Sequence, residues 1–154
     1  MRWLKYFVLC MAIAATSGSS FAASSSLNSI EQLRWSNRLI LIHGWPYEQS
    51  AHKIFQPFSA QFADRHILWF VFEDSANGMK VAETNYTGQL GPQFAKLTKP
   101  YQFASGDHLL LIGKDGGVKL RQKDIEMNQI FDLIDTMPMR QSEIAQAKMT
   151  KVNQ

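Results

Sequence analysis

Sulfur chemistry is almost closed to this chain. Of 154 residues one is cysteine, Cys10, and it lies in an N-terminal stretch with the marks of an export signal. A mature chain cut downstream of it holds no thiol, which excludes a disulfide framework, a thiolate nucleophile and a cysteine metal site. Charge of one sign is scarce too. The formal net charge is +3, and Arg2 and Lys5 in that same stretch supply two of the three. The near-neutral remainder offers no electrostatic case for nucleic acid or an anionic membrane surface. No apolar run reaches the roughly 20 residues that a stable membrane span needs. There is no internal repeat, no HExxH pair and no nucleophile elbow, so the common zinc-hydrolase and serine-hydrolase signatures are missing. Ser50, His52 and Asp74 do not make up for that. Lys114-Asp115-Gly116-Gly117 lacks the long glycine-rich loop and following helix of a phosphate cradle.

What is present begins with three parts of a secretory signal in Met1 to Ala22. Arg2 and Lys5 are the positive start, Tyr6 to Ala15 the apolar centre, and Ser20-Phe21-Ala22 the small-x-small cleavage site. Cleavage after Ala22 is expected, giving an exported protein, periplasmic or secreted. The remaining 132 residues fit one domain with a core of its own. Ala23 to Gln32 reads as a flexible leader, Leu33 to Glu143 as the domain, and Ile144 to Gln154 as a polar tail.

The clearest structural signal is a hairpin. Leu109-Leu110-Leu111-Ile112 is an unbroken apolar run, as in a strand covered on both faces. Val118-Lys119-Leu120-Arg121 alternates as an edge strand does. Asp115-Gly116-Gly117 between them supplies positive backbone dihedrals for the turn. Upstream, Leu39-Ile40-Leu41-Ile42 and Ile67 to Phe72 read as buried strands. Ala51, Ile54, Phe55, Phe58 and Phe62 recur at helical spacing between them, with Pro57 as a kink. Ser75 to Asp107 is poorly legible, and a short helix from Pro92 to Thr98 is expected there. Asp124 is expected to cap a helix carrying Met127, Ile130, Phe131, Ile134 and Met137, stopped by Pro138. Two strands joined by a helical crossover should be parallel, and the hairpin should add two antiparallel strands. The expected fold is α/β and thioredoxin-like: a mixed four-stranded sheet with helices on both faces.

The block Leu111 to Arg121, followed by Phe131-Asp132-Leu133-Ile134-Asp135 and Met137-Pro138-Met139-Arg140-Gln141, resembles a domain-of-unknown-function family of exported bacterial proteins. The same type of domain, called the DUDES domain, occurs in animal extracellular sushi-repeat and coiled-coil proteins. The resemblance implies a thioredoxin-like or peroxiredoxin-like fold and no established catalytic residues. Thioredoxin's own pattern W-x-x-W-C-G-P-C-K is similar to Trp45 through Lys53, with the kinking proline at Pro57. Its cysteines fall on Gln49 and His52, its second tryptophan on Glu48, its cis proline on His108 and its buried acid on His43. That alignment implies that His52 and His108 face one another near Glu48, with His43 beneath.

Two readings follow. In the first, the domain is a cysteine-free binding module without turnover, using Trp45, Tyr47, Glu48, His52 and His108 as its surface for a protein or small-molecule partner in the cell envelope or outside it. Exposed aromatic residues at the end of a parallel strand favour that role. In the second, His52, His108, His43 and Glu48 hold a metal or act as acid and base. No cofactor is otherwise implied, and thiol-disulfide exchange is excluded for a mature chain without thiolate. Lys119 and Arg121 suit an anion or simply edge-strand solubility, and Met137 to Gln141 suits a partner contact or a cap on the core.

Overall fold

The computed structural model of the chain describes residues 26–152; the expected export signal, Met1 to Ala22 with Cys10, lies outside them. A 3-10 turn at Ile30–Leu33 leads into β1 (Arg38–His43). Then come α1 (Ala51–Phe55), a 3-10 turn at Gln56–Phe58, α2 (Ser59–Asp64), β2 (Ile67–Ser75) and β3 (Gly78–Thr84). The hairpin β4 (Leu109–Ile112) and β5 (Val118–Gln122) follows, then α3 (Met127–Asp135) and α4 (Pro138–Val152). One open sheet runs in the order β3-β2-β1-β4-β5. β1 is parallel to β2, with Ile40 opposite Trp69, and antiparallel to β4, with Ile40 opposite Leu111. β3 and β5 are antiparallel edges.

Alternation along the three central strands builds two cores. Ile40, Ile42, Trp69, Val71, Leu109 and Leu111 face one way, onto Ala51, Phe55 and Phe62 of α1 and α2 and onto Met127, Ile130, Phe131 and Ile134 of α3. Leu39, Leu41, Phe70, Phe72, Leu110 and Ile112 face the other way, onto Leu27, Ile30, Leu33, Phe94 and Tyr101. Both faces are thus dry, which is why these strands read as continuous apolar runs. Pro57 acts as expected: it lacks an amide hydrogen, and the chain passes through a 3-10 turn between α1 and α2. No helix among the described residues is long and apolar enough to cross a membrane.

Several expectations are corrected. The sheet has five strands rather than four, because Gly78–Thr84 turns back on β2 through Ala76-Asn77 and pairs from Ser75–Gly78 to Phe70–Thr84. The α-helices that touch the sheet lie on one face. The other is covered by the Ile30–Leu33 turn and by irregular chain around Phe94 and Tyr101. No helix forms from Pro92 to Thr98. Isolated turns such as Phe94 N–H to Gly91 O and Lys96 N–H to Gln93 O lay several side chains on the sheet instead. Asp124 caps nothing: Glu126 flanks α3, and the Asp124 carbonyl accepts from the Gln122 side chain. Pro138 both follows α3 and opens α4, so part of the expected tail is helix to Val152. The leader is packed from Leu27, which is buried and bridges Leu90.

Candidate functional site

At the C-terminal end of β1 the chain must turn away from the sheet, and Gly44 does so at φ +67, a region glycine enters without a Cβ penalty. Trp45 follows, half-buried. Its Nε1 donates to the Gln49 carbonyl at 2.7 Å, and its ring stands edge-on to Phe55 at 5.4 Å and to Tyr47 at 5.1 Å. Tyr47 remains 45 % exposed. Tyr47, Pro46 and His108 form one wall of a cleft of about 430 Å³ whose other wall is the segment Lys123 to Glu126. Of the sequence-derived surface, then, Trp45, Tyr47 and His108 come together here.

The histidines divide. His43 Nε2 lies 3.2 Å from Asp74 Oδ1, and its ring lies 5.3 Å from Phe103. His108 Nδ1 is 3.2 Å from the His43 carbonyl; a carbonyl can only accept, so Nδ1 is the donor in that contact. His52 instead stands edge-on to Trp69 at 4.9 Å and lines a different cleft, with Asn37, His66 and Asn85. Glu48 is exposed. No group of three or more His, Cys, Asp or Glu side chains able to hold a metal gathers among the described residues.

Two side chains that organise the β3 side of the sheet were missed in the sequence. Glu83 on β3 accepts the amides of Ala51 at Oε1 and His52 at Oε2, both at 3.1 Å, and so clasps the start of α1 beside Ser50. Asn85 continues the ladder where β3 ends. Its Oδ1 accepts from Trp69 N at 2.8 Å and its Nδ2 donates to Ile67 O at 3.1 Å. Nothing local marks either residue, since their partners are 16 to 32 positions away.

The opposite end of the sheet carries the charge. Arg38, 1 % exposed, donates to Glu143 Oε2 and Oε1 at 3.1 and 3.2 Å and to the Arg65 carbonyl at 2.8 Å. Lys114 reaches Glu143 Oε1 at 2.9 Å and His66 Nδ1 at 2.7 Å. Arg65 forks onto Asp135 at 3.0 and 2.5 Å, and Arg140 joins Asp135 to Asp64. Burial alone would raise the carboxyls of Asp135 and Glu143. Hydrogen bonds from Arg65 and Arg140 to the first, and from Arg38 and Lys114 to the second, outweigh it and hold both below the ordinary carboxylate range.

Residues 29–143 match the family described as domain of unknown function DUF4174. The chain belongs to that family. No curated protein and no solved structure matches it. The DUF4174 match begins at Ser29, whose amide donates to the Gln32 side chain at 3.0 Å, and closes on Glu143, the carboxylate shared by Arg38 and Lys114. Within the DUF4174 domain, the hairpin turn and the Met137-Pro138-Met139 segment meet in one cleft of about 410 Å³ together with Arg38.

Proposed function

We propose that the protein is an exported, thioredoxin-like module that binds a protein or small-molecule partner in the cell envelope or beyond it, without turnover. The arrangement β2-β1-β4-β5, a parallel pair continued by an antiparallel hairpin with helical chain between β1 and β2, supports the thioredoxin-like reading. β3 is then an addition at one edge. Cys10 falls in the segment proposed to be removed, and Gln49 and His52 occupy the places of a dithiol pair, so exchange has no thiolate to proceed through.

The observation that carries the binding role is the Trp45–Tyr47 pair. Trp45 is held by its own indole hydrogen bond and by Phe55, and it presents Tyr47 to solvent beside a cleft at the C-terminal end of β1. A rigid aromatic ledge loses little freedom on binding, and Trp and Tyr dominate binding energy where they are anchored. The test compares the protein with a Trp45→Ala, Tyr47→Ala variant in affinity capture from the native envelope, with near-ultraviolet circular dichroism as the folding control. Partners should be lost from the folded variant. Equal recovery by both would remove this surface from consideration.

A further inference from the structure

β3 ends at Thr84, opposite Phe70, so the first residues of β2, Ile67 to Trp69, have a strand neighbour on one side only. Between that uncovered start and the helices α1 and α2 lies a cleft of about 360 Å³, within the usual size range of small-molecule sites. Its floor is the outer surface of the aromatic core. Phe55, Phe62 and Trp69 line it, each 2–3 % exposed, and they meet edge to face. Phe55 stands 5.2 Å from Trp69 at 69° and 5.6 Å from Phe62 at 78°. A further flat ring extends packing of this kind.

What sets this cleft apart is charge. No aspartate, glutamate, lysine or arginine lines it, whereas the clefts at the hairpin turn, beside Tyr47 and beside Phe103 each carry at least one. His66 Nδ1 lies 2.7 Å from the Lys114 Nζ; an ammonium can only donate, so that nitrogen accepts and the ring is the neutral form. A full charge brought into the cleft would lose hydration with no counter-charge in the walls to replace it. Asn85 adds a fixed recognition group. Its Oδ1 accepts from Trp69 N at 2.8 Å and its Nδ2 donates to Ile67 O at 3.1 Å, which locks the carboxamide against the strand. A carboxamide has two donor hydrogens and two lone pairs on its oxygen, so one of each remains. On the helical side, His52, Gln56 and Ser59 enter hydrogen bonds through backbone groups only among the described residues.

We infer that this cleft binds a flat, uncharged aromatic compound with an amide edge, its ring on Phe55, Phe62 and Trp69 and its amide paired with Asn85. The cleft shares no lining residue with that of Pro46, Tyr47 and His108. It therefore stands or falls independently of the proposed partner surface.

The test is calorimetric titration of the protein with benzamide, alongside amide NMR shifts, and with three analogues that each remove one feature. Benzoate carries a charge, cyclohexanecarboxamide lacks the flat ring, and N,N-dimethylbenzamide lacks the N–H donors. Benzamide should bind with a Kd below about 1 mM and about tenfold or more tightly than each analogue, and the Ser59 and Asn85 amides should shift. Ala63→Trp fills the cleft from an exposed position on α2, and Ser59→Glu puts a charge into it. Each should weaken benzamide binding by about tenfold or more. Lys96→Ala, outside the cleft, should leave it unchanged. Any analogue binding as tightly as benzamide would overturn the ligand class. Absence of benzamide binding, undiminished binding in both cleft variants, or shifts confined to other residues would overturn the site.

Discussion

Gly116 shows how much one position can demand. Its φ is +79, and a Cβ built on it would lie 2.8 Å from the Arg34 Nε. Its carbonyl takes the Tyr101 hydroxyl at 2.8 Å, and burial pushes the Tyr101 phenol up, so the group stays a donor. Gly116→Ala should cost about 1–2 kcal/mol, from the left-handed backbone together with the displaced Arg34. Urea unfolding measures this directly, and an unchanged midpoint would mean that the turn relaxes freely. The glycine was legible because the turn is local, although only Gly116 of the Gly116-Gly117 pair takes a positive φ. The ring contact of Trp45 with Tyr47 is local in the same way, two positions apart in the chain. The expected meeting of His52 with His108 was not a local matter. It rested on where two distant segments sit, and His52 turned to Trp69 while His108 turned to the backbone of His43.

α1 is five residues long, too short to hold itself in water, since isolated helices below about 12 residues are marginal. What fixes it is lateral: Phe55 packs among Trp45, Phe62 and Trp69, and Glu83 takes the first two amides. Glu83→Ala should therefore destabilise the protein by about 1–2 kcal/mol. Hydrogen exchange should quicken first over α1 and hardly at all over α3, and uniform quickening would show that the clasp is not local. β3, which carries Glu83, did leave a trace in the sequence. Asn77-Gly78 is a strong hairpin signal, and Met79 and Val81 alternate with exposed Lys80 and Ala82. Of the expected stripe, Met127, Ile130, Phe131 and Ile134 are buried on α3, whereas Met137 lies past the end of that helix and is only partly buried. The Pro92 segment misled because propensity there yields to tertiary contact, Phe94 packing on Phe70 at 4.7 Å.

The charged network couples parts of the fold that sequence reading could not connect: the first residue of β1, the α2–β2 turn, the hairpin turn and the α3–α4 junction. Each of Arg38, Arg65, Lys114 and Arg140 looks like an ordinary surface cation in the sequence, and only their shared carboxylates show otherwise. Because Asp135 and Glu143 ionise more readily in the folded protein than in the unfolded chain, the unfolded state binds more protons as pH falls. Their contribution is thus fully present above the ordinary carboxylate range and is lost as pH drops through their depressed folded values. Stability should be flat from neutrality to about pH 5 and fall steeply below about pH 4. An Asp135→Asn, Glu143→Gln variant should be less stable at pH 7, because it leaves buried guanidinium groups poorly paired, yet its acid limb should be shallower. Urea midpoints measured from pH 3 to 7 decide the matter. Parallel curves for the two proteins would place the acid sensitivity in other carboxylates, whereas converging curves would locate it at the junction where α4 joins the sheet.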